Sequence, residues 1–134
     1  MSGLGPLPPH FAREAARLRQ AGIDSWSALA SLPDRKLREL GAAGGGASEA
    51  RLLRLRAQAR LMVAVDLSAP QASLLLLAGI ATAAGLAEAD PQRLERQVGR
   101  LQRQLLGRTA TPIDGAILRD WIRRARRSSG RPGN

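Results

Sequence analysis

The chain has 134 residues, no cysteine, one histidine and a formal net charge of +10, and 20 of its 21 basic residues are arginine. That length suits one domain or two very small ones. Without cysteine there are no disulfides, thiolate metal ligands or cysteine nucleophile, and the lone His10 leaves no His-based zinc set and no Ser-His relay.

The elements, taken in chain order, are all helical. There is no Tyr, one Phe and no alternating run, while Ala, Leu, Arg, Gln and Glu dominate. Pro8-Pro9 suits a first turn and Gly22 the residue just past a helix end, so a first helix is expected over about residues 9–21. His10, beside the two prolines, reads as a surface or capping residue. Asp24 or Ser25 caps a short helix to about residue 31, and Pro33-Asp34 opens a third that closes at Gly41. Gly44-Gly45-Gly46 marks a connection, whose free N–H groups before Ser48 offer a weak anion site. Ser48 caps a helix over about residues 49–65.

The order then repeats: a helix over about residues 69–78 ending at Gly79, a short one over about 82–89, and one from Pro91, capped by Asp90, to Gly107. Thr111-Pro112 signals a last helix through about residue 127, and residues 128–134 read as disordered. Leu67–Ala87 carries no charge and has the length to cross a bilayer. Pro70, Gln71, Gly79 and Gly85 interrupt it, and the matching earlier segment carries Arg17, Arg19 and Asp24. It reads as a buried pair of short helices.

The match is explicit at an offset of 57: Ala15 with Ala72, Leu18 with Leu75, Ala21-Gly22-Ile23 with Ala78-Gly79-Ile80, Leu29-Ala30 with Leu86-Ala87, and Leu37 with Leu94. Composition alone gives roughly 3 identities in such a window, against eight here, so the chain reads as a repeat. A unit of about 55–60 residues is marginal alone, so the two are expected to share a core, with Leu18, Ile23, Leu29 and Leu37 matching Leu75, Ile80, Leu86 and Leu94.

Basicity is spread evenly, with ten basic against five acidic residues through Val65 and eleven against six beyond it. Such a charge favours polyanions, and a basic surface that serves solubility alone is the plainer reading. The most specific pattern is Arg93, Arg96, Arg100 and Arg103, opposite an apolar stripe of Leu94, Val98, Leu101 and Leu105. The row is ~15 Å long at the helical rise. Like charges at this spacing cost a few tenths of a kcal/mol per pair, so folding gains nothing from them. Arg119, Arg123 and Arg126 share one side of the last helix, and Arg124, Arg127 and Arg131 lie near or in the tail. Arg51, Arg54, Arg56 and Arg60 read as solvated boundary residues, and Trp26 and Trp121 as core. Carboxylates are scattered singly, so no catalytic, metal or cofactor site is expected.

The segments Ala15-x-x-Leu18-x-x-Ala21-Gly22-Ile23 and Ala72-x-x-Leu75-x-x-Ala78-Gly79-Ile80, with Trp121-Ile122-Arg123-Arg124-Ala125-Arg126, resemble helix-hairpin-helix proteins. More closely, they resemble an uncharacterised bacterial family of tandem helix-hairpin-helix-like domains, over about residues 8–127. The resemblance implies an all-α, SAM-like pair of repeats in one compact helical body, at residues 8–65 and 66–127, before a basic tail at 128–134. In the helix-hairpin-helix family the backbone N–H groups of a Gly-hydrophobic-Gly hairpin hold a DNA phosphate. Here those glycine positions fall at Pro9 and Phe11, and at Asp66 and Ser68. Proline has no N–H to offer and Asp66 repels phosphate.

Two readings follow. One is a non-catalytic, largely sequence-independent nucleic-acid binder using Arg93, Arg96, Arg100, Arg103, Arg119, Arg123 and Arg126 on phosphates. The other is an adaptor of the same fold that docks an acidic protein or self-associates. No signal peptide pattern is visible, and a cytoplasmic protein without membrane contact is expected.

Overall fold

The computed structural model describes residues 3–43, 45–107 and 113–129, which form eight α-helices and no strand. The chain divides into two compact units, Met1–Val63 and Ala64–Asn134. The first holds a 3-10 turn, Pro9–Phe11, then α1 (Ala12–Gln20), α2 (Trp26–Ala30), α3 (Asp34–Ala42) and most of α4 (Glu49–Val65). The second holds α5 (Ala69–Leu77), α6 (Ala83–Ala87), α7 (Pro91–Leu106) and α8 (Gly115–Ser129), with α8 against α6 and α7, and α5 against α7.

Both units turn their first corner with the same chemistry. Gly22 has φ +79° and Gly79 φ +90°, so the helix before each cannot continue. Ile23 N–H then donates to Leu18 O and Ile80 N–H to Leu75 O, each at 2.9 Å, which satisfies a carbonyl the helix end leaves free. The next short helix is capped by Ser25, whose Oγ accepts from Ala28 N, and by Thr82, whose Oγ1 accepts from Gly85 N. A Cβ at Gly79 would touch nothing within 4 Å. Gly79→Val is therefore expected to cost about 1 kcal/mol or more through backbone strain alone. Gly79→Asn, which tolerates the left-handed region, should cost clearly less. Equal losses for the two variants in urea unfolding would contradict this.

The apolar positions pair as well. Leu18 and Leu75, Leu29 and Leu86, and Leu37 and Leu94 are all essentially inaccessible, and Ile23 is buried where Ile80 is half-buried. From α3 onward the spacing changes. α3 and α7 begin 57 residues apart, but α3 has 9 residues and α7 has 16. In α4 and α8 the buried pairs are Leu52 with Leu118, Leu55 with Trp121 and Ala59 with Ala125, now 66 apart. At that same spacing Arg60 Nε donates to Ala30 O and Arg126 Nε to Ala87 O, both at 3.1 Å. In each unit, then, an arginine from the last helix closes the C-terminus of the five-residue helix.

Several sequence expectations change. Arg56 is not a solvated boundary residue: it is 6% exposed, donates to Leu32 O at 2.9 Å and pairs with Asp34 at 2.6 Å. A buried guanidinium needs such partners, and its hydrogen bond and charge hold the Asp34 carboxyl below its ordinary 3.8. Leu105 leaves the apolar stripe of α7 at 59% exposure, and Gln102 is buried instead, its Oε1 accepting from Ile113 N at 3.1 Å. The last helix starts at Gly115, where Asp114 Oδ1 accepts from Ala116 N and Ile117 N. Thr111-Pro112, Gly44, and residues 130–134 with Arg131 lie outside the described residues. α8 runs through Ser129, two residues past the expected Arg127. Trp26 and Trp121 are buried as expected, at 3% and 2%.

Candidate nucleic-acid interface

α7 presents its arginines opposite the core. Leu94 and Val98 are buried on one side, while Arg93, Arg96, Arg100 and Arg103 are all exposed. At about 100° per residue the four span roughly 80° of the helix circumference. Among the described residues no carboxylate or carbonyl holds any of them. Glu95, the carboxylate within the row, lies on another flank of α7, its Oε2 so near Gly115 that a Cβ there would come within 2.8 Å. There it faces the positive end of α8 and leaves the arginines unneutralised.

The α8 arginines are differently occupied. Arg119 is exposed, Arg123 pairs with Asp120 at 3.6 Å, and Arg126 is tied to Ala87 O at the end of α6. Arg124 turns to the other side of the helix, where its Nη1 donates to Val65 O at 2.8 Å and Asp66 O at 2.9 Å, and its Nη2 meets Asp120 at 3.1 Å. α7 thus carries four uncommitted cations in one row, and α8 carries a set partly spent on closing the fold.

Of the four positions that the resemblance aligns with hairpin glycines, one has no N–H and two have theirs occupied. Phe11 N donates to Pro8 O, and Pro9 has none. Ser68 N donates to Gln71 Oε1 while Ser68 Oγ accepts from Gln71 N, a reciprocal box that closes the start of α5. Asp66 has φ +60°, the left-handed value a glycine would supply, and Leu67 behind it is buried.

The start of α4, just after the Gly45-Gly46 turn, meets an anion from within the chain. Glu14, only 1% exposed, accepts Ser48 N at 2.8 Å through Oε2. A carboxylate at the start of α4 satisfies a free amide and the helix dipole together. Arg13 and Arg17 lie over the turn, where a Cβ at Gly46 or Gly45 would come within 2.7 Å of a guanidinium. The signal for Glu14 is its spacing from Phe11 and Leu18, which sets it on the buried face of α1 despite its charge.

Among the described residues no group of His, Asp or Glu side chains is arranged to hold a metal ion, and no single helix is long and apolar enough to cross a membrane. No curated protein and no solved structure matches the chain. A family model does match it, over residues 8–128, and the chain belongs to that family, a domain of unknown function (DUF4332).

Proposed function

We propose that this protein binds nucleic acid without strong sequence preference and without catalysis, by contacts from Arg93, Arg96, Arg100 and Arg103 to phosphates, on a tandem helix-hairpin-helix-like scaffold. One observation carries the reading. The last turns of α7, with Arg100 and Arg103, belong to the seven residues by which it exceeds α3. α3 fills the corresponding place in its own unit with nine residues. Within the extension Gln102 turns inward to hold Ile113 N, while Arg100 and Arg103 stay exposed and add nothing to the core. The two arginines lengthen a row of like charges, which a polyanion compensates and folding does not. The matched corners at Gly22 and Gly79, and the left-handed Asp66 before buried Leu67, support the scaffold.

The occupied amides at Phe11 and Ser68 favour a second reading, an adaptor of the same fold that docks an acidic protein or a second copy. Salt titrations of binding to duplex DNA, structured RNA and polyglutamate separate the two, with protein purified under nuclease. Nucleic-acid binding is expected to fall steeply with salt and to exceed polyglutamate binding at every salt concentration. Equal binding to all three polymers, or none to DNA and RNA near physiological salt, would overturn the nucleic-acid reading.

A further inference from the structure

α5 and α7 leave a cleft of 250 Å³ along one edge of the arginine row, lined by Leu77, Ala78, Gln97, Arg100, Leu101 and Gln104. We infer that this cleft receives an unpaired base of a single-stranded or bulged nucleic acid whose phosphates lie on the α7 arginines. The inference rests on the proposed nucleic-acid binding and narrows it to strands with accessible bases.

The walls suit a flat ring with a polar edge. Leu77, 47% exposed, and the half-buried Leu101 supply apolar surface. Gln97 and Gln104, one turn above and below Arg100 on α7, make no hydrogen bond among the described residues. Each amide offers two donors and an acceptor, the complement of a base edge. Arg100 stands at the rim, where its planar guanidinium can stack on a ring while charge steers the adjoining phosphate. Both tryptophans are buried, so stacking has to come from this guanidinium and the leucines.

The volume lies just below the range of about 300–1,000 Å³ typical of small-molecule clefts, and suits one ring system better than a larger ligand. A regular duplex keeps its bases stacked inside and presents nothing to fill such a cleft, whereas a single strand or a bulge does.

The test compares three DNA probes of equal length, a single strand, the same strand with abasic sites throughout, and the duplex, by fluorescence anisotropy at one salt concentration. The single strand is expected to bind at least about tenfold tighter than the abasic strand, in the range alanine substitution gives for base stacking. The double variant Gln97→Ala, Gln104→Ala keeps helix propensity and all four arginines, and circular dichroism checks that it folds. It should lose that preference while its salt dependence stays unchanged. Equal binding of intact and abasic strands, with duplex binding retained, overturns the base cleft and leaves the arginine–phosphate reading standing. No binding of any probe overturns both.

Discussion

Arg93→Gln, Arg96→Gln, Arg100→Gln and Arg103→Gln, made together, are expected to reduce the slope of log affinity against log salt by up to about 4 for duplex DNA. Each phosphate neutralised by an arginine releases counterions worth a slope of about −0.9. Four such contacts lower affinity by about two orders of magnitude between 50 and 200 mM salt, and the variant should lose that dependence. Stability should hold, because glutamine matches arginine closely in helix propensity and the four side chains are exposed, without partners among the described residues. Removing like charges three and four residues apart should even add a few tenths of a kcal/mol. A variant with the wild-type slope would show that phosphates sit elsewhere. A variant that unfolds more easily would show that the row serves the fold after all.

Arg124→Ala is expected to cost about 2–3 kcal/mol in urea unfolding, although Arg124 lies among exposed arginines in the sequence. Its side chain, 28% exposed, donates to a part-buried carbonyl and an exposed one at the end of α4 and meets Asp120, and charged hydrogen bonds contribute about 1.5–3 kcal/mol. Neighbouring Arg127 is exposed, so Arg127→Ala should stay within about 0.5 kcal/mol of wild type. Asp66→Gly should go the other way. It keeps the accepting carbonyl and removes a Cβ from a left-handed residue, a gain of up to about 1 kcal/mol. Similar losses for Arg124→Ala and Arg127→Ala would show that Arg124 closes nothing.

These contrasts mark how far the sequence was legible. Gly22, Gly79, Ser25 and Asp90 mark their corners and caps in the sequence because each acts on the backbone within a few residues. The start of α8 was misplaced because Thr111-Pro112 competed with Asp114, and both satisfy the same local rule. Arg56 and Arg124 were out of reach for another reason. A charged residue is assigned to solvent until a partner from a distant segment is known, and Asp34 and Val65 are 22 and 59 residues away. At the 66-residue spacing of the other buried positions of α4 and α8, Arg56 falls in register with Ile122, which is also buried and needs no such partner. Leu105 followed the stripe faithfully, yet periodicity says nothing of where the neighbouring helix stops. The α7 arginine row needed one helix and was readable, whereas the cleft beside it needed two.

The five-residue helices α2 and α6 bear on how each unit assembles. A helix that short does not persist in water, since nucleation costs more than so few hydrogen bonds return. Each is held at one end by its own hydroxyl cap and at the other by an arginine 30 or 39 residues further along. No early kernel can contain α6 without α8, because the side chain that latches it arrives with the last segment. Each unit should therefore close as a zipper does at its slider, the short helix becoming permanent only when the final helix passes over it.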